Sequence, residues 1–442
     1  MRSTAGARMF PPGYLTFQQA GQIIKKPQII SADEHGIAVR QLCPSATEVV
    51  RRLQEASFDS YIVGGSVRDL LLGRVPKDFD VATVATPEQV KDVFPRSRII
   101  GRRFRLVHVR HEGVLVEVAT FRADQPKQRD TNRSGRILRD NVFGTLEEDA
   151  LRRDFTINAL FLDPVNGEIR DFTGGYDDLA NRRLRLIGDP VTRYREDAVR
   201  LLRAARFVAK LGIEPEPSTA RPIPELAGLL EDIPPARLFE ETCKLFLTGH
   251  GNRTLEALQR FGLTRSLFPV LPGAGGGKAE THALLWSALR NTDQRVAEEK
   301  SVTPAFLFAA LLWQPVEQRA RELEERDHTA LQALEIAGEE VIARQVRRTA
   351  IPRRFSAVTR QIWEMQARFR RTRGKRALSV LRHPRFRAAY DFLLLRAEQD
   401  DTLAELKAFW TEAQKGQPPP ARSKKRRPRR RGRRSRASRG AG

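Results

Sequence analysis

The apolar residues of this 442-residue chain change their spacing once, near residue 190, and that change limits the architectures open to it. Before that point, runs of two-residue alternation are interleaved with short helical patterns; after it, helical spacing holds almost throughout. "SATEVVRRLQEA" begins a helix, with Ser45 and Glu48 at capping-box spacing and Val49, Val50 and Leu53 on one face. "SYIVGG" reads as a buried strand, "SVRDLLLG" as a helix closed by Gly73, and "KDFDVAT" as a second strand. "PEQVKDVF" is helical, and "RLVHVRHEGVLVEVATFR" is a hairpin turning at "HEG". The expectation is a small mixed sheet with flanking helices as far as about residue 182, followed by a helical remainder.

Three acids stand out in this pattern. Asp78 and Asp80 lie two apart in an apolar stretch, so in a strand they would point the same way and repel. Glu117 sits between Val116 and Val118, where alternation asks for a core residue. Just upstream, Gly64 and Gly65 separate a strand from a helix beginning at Ser66. Glycines let the backbone approach a ligand, and a helix start offers unpaired N–H groups to phosphate. Three carboxylates on neighbouring strands beside such a turn suit two divalent cations, since Mg²⁺ is held by oxygen ligands together with substrate phosphates. The plain alternative is that the acids pair with Arg68, Arg103 or Arg105 as solvated charges. His108 and His111 lack a third nitrogen or sulfur ligand at suitable spacing and are expected to be ordinary strand and turn residues.

"GGSVRDLLLG" and "KDFDVAT", followed by "VEVATFR", resemble the head of the polymerase-β-like nucleotidyltransferases. "EEDALRRDFTINALFLDP", residues 147–164, resembles the Arg-Arg-Asp-Phe-Thr-x-Asn-Ala block of their class II branch, which holds tRNA CCA-adding enzymes and bacterial poly(A) polymerases. The resemblance covers residues 45–250 well and the region to about 410 more loosely. It implies a nucleotidyltransferase head followed by all-α neck and body domains, with Asp78, Asp80 and Glu117 as ligands for two Mg²⁺ ions. It further implies that Gly64, Gly65, Ser66, Arg68 and Arg153 meet the nucleotide and that Asp154 lies at the active site. Whether Glu117 or Asp154 is the third catalytic acid stays open; strand alternation favours Glu117.

"TRYREDAVRLLRAARF", residues 192–207, looks like the family's base-reading helix. Asp197 and Arg200 are three apart and would share a helix face. A carboxylate accepting from an exocyclic amine beside an Arg donating to a ring nitrogen selects adenine and cytosine over guanine and uracil. The bland reading is an ordinary intrahelical ion pair. ATP rather than CTP follows only from resemblance: "IIGRRFRLVHV", residues 99–109, and "IPPARLFEETCKLF", residues 233–246, are similar to poly(A) polymerase signatures. The implied activity is template-independent transfer of AMP from ATP to RNA 3′ ends, with pyrophosphate leaving and RNA turnover as its consequence. CCA addition to tRNA is the nearest alternative, and an inactive RNA-binding adaptor a more distant one.

Charge points to the same class of partner. The net charge is +24, and residues 421–442 carry 12 Lys or Arg and no acid, half of that excess. Such a segment cannot bury apolar surface and repels itself, so it is expected to be disordered and to give salt-sensitive affinity for RNA. A merely solubilising tail is the alternative. "QARFRRTRGKRALSVLRHPRFRAAY" mixes Arg370, Arg371, Arg373, Lys375 and Arg376 with Phe369, Phe386 and Tyr390, a combination suited to phosphates and stacked bases; the plain alternative, expected for about half of the aromatics, is that they are helix core and only the charges face out. Lys424, Lys425, Arg426 and Arg427 extend the candidate RNA contacts into the tail. With only Cys43 and Cys243, no disulfide framework or cysteine zinc site is expected. No apolar run approaches the roughly 20 residues of a membrane span, and "MRSTAGARMFPPGYLTF" lacks signal-peptide features. A reducing, cytoplasmic location is expected, with an RNA chaperone or degradation machinery as possible partners. The expected divisions are an extended lead-in (1–40), a catalytic head (41–182), a base-recognising neck (183–270), an RNA-binding body (271–415) with a hinge at "LPGAGGGK", and a tail (416–442).

Overall fold

The computed structural model describes residues 26–101, 105–123, 143–271, 283–374 and 378–415. The chain divides into two compact units, residues 1–190 and 191–442.

Among the described residues the main sheet of the first unit has eight strands: β1 (Gln28–Ile30), β2 (Ser60–Val63), β3 (Asp80–Thr83), β4 (Arg98–Ile100), β5 (Leu106–His111), β6 (Val114–Thr120), β7 (Leu160–Leu162) and β8 (Ile169–Asp171). Their order across the sheet is β1-β8-β7-β2-β3-β6-β5-β4. β3 and β6 are parallel and their neighbours antiparallel, so the sheet is mixed. The β5–β6 connection is a two-residue turn whose residues, Glu112 and Gly113, both have positive φ, as a primed hairpin turn requires. β1 comes from the segment read as a lead-in; three residues are too few to show a period, and it is set by pairing with β8.

Each face of this sheet is covered by a different cluster. Val49, Val50 and Leu53 of the helix Pro44–Glu55 pack on one face with Ile62, Val81, Val116 and Val118. The other face carries Tyr61, Val63, Ala82, Phe121, Ala159 and Phe161. The helix Pro44–Glu55 starts one residue before Ser45, with proline in its first turn, so the expected capping box does not form. The Ser45 hydroxyl donates instead to the His111 carbonyl at 3.2 Å.

"KDFDVAT" is only partly a strand. β3 begins at Asp80, and Asp78 and Phe79 belong to the approach to it. Upstream, the helix Gly65–Leu71 runs out through Leu72 into Gly73 at φ +67°, the left-handed stop the sequence suggests.

The second unit consists mainly of helices, including Val199–Leu211, Pro235–Phe246, Gly251–Arg260, Ala330–Val346 and Arg353–Phe369. Gly338 allows close packing in its interior: a β-carbon there would stand 3.0 Å from the Trp363 ring, whose Nε1 donates to the Ala309 carbonyl at 3.0 Å. Among the described residues no helix is long and apolar enough to cross a membrane. Most of the hinge stretch 271–278 and all of 416–442 lie outside the described residues.

Candidate active site

Asp80 opens β3, and its Cα partners are Val63 on β2 and Glu117 on β6. Val63 and Ala82 belong to the second cluster, so Asp80 and Glu117 share that cluster's face at the edge where it gives way to solvent. Glu117 is exposed between buried Val116 and Val118. The alternation that marked it as anomalous therefore places it on the open face rather than in the core.

Desolvation of its carboxyl, with Glu117 and then Asp78 adding like charge, pushes Asp80 up to about 6, and the Arg153 guanidinium pulls in the opposite direction. Asp80 keeps access to water, so solvent screens part of that repulsion. Arg105 pairs with Glu88 at 2.5 Å and Arg68 with Asp69 at 2.7 Å, while Arg103 lies outside the described residues.

Gly64 ends β2 at φ +72° and ψ −125°, a conformation essentially reserved for glycine. A β-carbon there would meet Arg153 Nη1 at 3.4 Å. Ser66 is buried, and its hydroxyl donates to the Val63 carbonyl at 3.1 Å, closing the turn on itself. Arg68 is also buried; its Nη1 donates to Asn158 Oδ1 at 2.6 Å. Asn158 Nδ2 donates in turn to Asp154 Oδ1 at 3.1 Å, which also accepts the Phe155 N–H at 2.8 Å. Asn158 thus ties the turn to the Arg-Arg-Asp block, a role its place in that motif did not disclose.

Arg153 is gripped by buried Asp149, whose Oδ2 accepts from Nε at 3.1 Å and Nη2 at 2.9 Å. The guanidinium also lies 4.9 Å from the centre of the Phe161 ring. Asp149 takes the Arg152 Nε at 3.2 Å as well, so one carboxylate orients both arginines of the block.

Among the described residues no three carboxylate, imidazole or thiol groups converge closely enough to cage an ion by themselves. The donor set is nonetheless hard oxygen: two acids in register, a third two residues upstream, and a glycine turn alongside. That set fits a cation completing its shell with substrate phosphates, as Mg²⁺ commonly does.

In the second unit the stretch 192–207 is not one helix. Helices Pro190–Glu196 and Val199–Leu211 are separated at Asp197 and Ala198, although the Asp197 N–H still donates to the Arg193 carbonyl at 3.3 Å and the Arg200 N–H to the Asp197 carbonyl at 3.0 Å. The Asp197 carboxylate caps the second helix, with Oδ1 accepting the Val199 N–H at 3.2 Å. Its Oδ2 accepts from Arg237 Nη2 at 2.7 Å, joining two signature stretches forty residues apart. Arg200 Nη1 donates to the Arg193 carbonyl at 2.6 Å and Glu196 Oε2 at 3.2 Å. Arg237 was not foreseen; only its place in "IPPARLFEETCKLF" could have drawn attention to it.

Arg370, Arg371 and Arg373 are exposed after the helix Arg353–Phe369, with Arg370 3.4 Å from Glu324. Phe369, Phe386 and Tyr390 are all buried in one cluster with Trp410, so all three, rather than about half of the aromatics, are helix core and not stacking surfaces. Lys375, Arg376, Lys424, Lys425, Arg426 and Arg427 lie outside the described residues.

Three family descriptions match the chain: Poly A polymerase head domain over residues 60–185, Probable RNA and SrmB-binding site of polymerase A over 212–273, and Polymerase A arginine-rich C-terminus over 326–440. Poly(A) polymerase I of Escherichia coli is 46% identical over 414 residues, 91% of this chain and 89% of that protein. A CCA-adding enzyme of Bacillus pumilus is 38% identical over 228 residues, 52% of this chain and 55% of the other. The crystal structure of the Bacillus stearothermophilus CCA-adding enzyme in complex with CTP is similar at a TM-score of 0.57 and 27% identity, covering 84% of this chain and 83% of that one. The sequence match to the Bacillus pumilus CCA-adding enzyme spans about half of the chain, whereas likeness to poly(A) polymerases runs through head, neck and arginine-rich end: the chain belongs to the bacterial poly(A) polymerase family of nucleotidyltransferases.

Proposed function

We propose that the protein transfers AMP from ATP to RNA 3′ ends without a template, at the open edge where β3 and β6 meet. The observation that carries this is the register of Asp80 with Glu117, beside the Gly64 turn and within the electrostatic reach of Arg153.

Asp78, Asp80 and Glu117 would hold two Mg²⁺ ions, which when bound lower the pKa of the RNA 3′-hydroxyl and neutralise the leaving pyrophosphate. Gly64 and Gly65 let the backbone close on the triphosphate, with Ser66 bracing the turn from below. Arg153, fixed by Asp149, presents a cation to the nucleotide. Asp154, engaged by Asn158 and the Phe155 N–H, shapes the turn, which supports Glu117 as the third ligand. Asp197 and Arg200 supply the choice of adenine or cytosine, and exposed arginines after Phe369 together with the basic tail hold RNA through its phosphates. A cytoplasmic role in RNA turnover, alongside degradation machinery, accords with this activity.

The test is incubation with Mg²⁺ and an unstructured RNA, supplying ATP alone or CTP alone. Long ATP-dependent extension is expected, abolished by Asp80→Ala while RNA binding persists. Short additions confined to tRNA lacking its end would assign CCA addition instead, and no incorporation would leave an RNA-binding adaptor.

A further inference from the structure

His108 reaches Glu117 across the β5–β6 ladder. Its Nε2 lies 3.2 Å from Glu117 Oε1, and the two residues are Cα partners. Glu117 is likewise the partner of Asp80 on β3, and His108 of Arg98 on β4. A single row across four strands therefore reads Arg98, His108, Glu117, Asp80, all on one face of the sheet.

Glu117 has little else to fix it. Its side chain is 51% exposed. On its own strand the same-face neighbours are Leu115, itself exposed, and Ala119, too short to pack along a glutamate. A long side chain in that setting samples several rotamers, and holding one has an entropic cost. The His108 tautomer that carries its proton on Nε2 donates to Oε1 and engages one carboxylate oxygen only.

We infer that His108 is a positioning residue for Glu117: from the β5 side it takes Oε1 and fixes the carboxylate's rotamer, leaving Oε2 for the cation site on the β3 side. The inference rests on the reading of Glu117 as a cation ligand. Between two solvent-accessible groups the contact adds little to folding stability, so its value lies in orientation. Outer partners that orient a metal ligand typically change metal affinity tenfold or more.

The test uses the full chain without nucleotide and reads Mn²⁺ binding from the electron paramagnetic resonance signal of free Mn²⁺, with kcat as a function of Mg²⁺ as a second readout. His108→Ala should weaken Mn²⁺ binding about tenfold and raise the Mg²⁺ needed for half-maximal kcat by a similar factor. KM for RNA should stay at its wild-type value. His108→Gln, which keeps a side-chain N–H donor, should recover most of the loss. If Glu117→Ala loses Mn²⁺ and His108→Ala binds it like wild type, the positioning role is wrong and the ligand reading survives. If Glu117→Ala itself binds Mn²⁺ normally, the reading and the inference fall together. Should His108→Ala melt early in chelator, His108→Gln decides: restored melting without restored Mn²⁺ affinity overturns the inference.

Discussion

Asp80 and Glu117 stand opposite each other in the parallel β3–β6 pair, two like charges at one level of the sheet. Arg153 offsets that repulsion only in part, and desolvation of the carboxyl together with Glu117 and Asp78 holds Asp80 up at about 6. Asp80→Asn removes one of the repelling charges and nearly preserves shape. We expect a small rise in melting temperature in chelating buffer, limited by the water around this site, together with loss of adenylyl transfer by about a thousandfold or more. Scanning calorimetry beside a primer-extension assay checks both; a lower melting temperature would show that the acids are not in conflict.

The same shift sets a pH dependence. Asp80 has its ordinary carboxyl pKa of 3.8 when unfolded and about 6 when folded, so between these values the folded state binds more protons. Stability then falls as pH rises from about 4 to about 6, and levels off above. Cations bind the deprotonated carboxylate, so the stabilisation added by Mg²⁺ should grow as pH rises through about 6. Melting curves with and without Mg²⁺ from pH 5 to 8 test this, with Asp80→Asn as the reference. If the variant shows the same pH dependence as wild type, another group is responsible.

Asp197 depends on a partner that sequence spacing did not suggest. Its Oδ2 accepts from Arg237 at 2.7 Å, with the two side chains 29% and 46% exposed. At that exposure the pair is worth little to stability, but it fixes the carboxylate proposed to accept from the base amine. Arg237→Ala should leave the melting temperature nearly unchanged, raise KM for ATP several-fold, and increase incorporation of GTP and UTP relative to ATP. Nucleotide competition assays read the change; unaltered selectivity would mean that Asp197 is held well enough by the Val199 N–H alone.

What was legible in the sequence followed the range of the interaction. The Gly64 turn and the β5–β6 hairpin are set by residues within a few positions of one another, and patterning exposes such features, whereas Glu117 was expected at a core position and lies on the exposed face between buried Val116 and Val118. Asp78 fell outside the strand, and Asp197 outside the helix, because element ends depend on pairing and capping rather than period. The contacts that orient the site join residues far apart in sequence: Arg68 to Asn158 across ninety positions and Asp197 to Arg237 across forty. Periodicity carries no information about such pairs. The aromatics of the second unit stayed ambiguous in the sequence for another reason: Arg residues interleave with them, and composition alone cannot say which face of a helix a ring takes.

Phe369 gives the last prediction. It is fully buried, with Phe386 edge-on at 5.8 Å and the Trp410 ring at 5.0 Å between centres. Trp410 Nε1 also donates to the Phe369 carbonyl at 3.0 Å, fixing the terminal helix Ala404–Ala413 against it. Phe369→Ala opens a cavity beneath two aromatic neighbours and should cost about 3–5 kcal/mol, seen as a lower urea midpoint. RNA affinity, measured where the variant remains folded, should be unchanged. A stacking platform would behave in the opposite way, losing about 1–3 kcal/mol of RNA binding at constant stability, so the two measurements together decide which role the ring has.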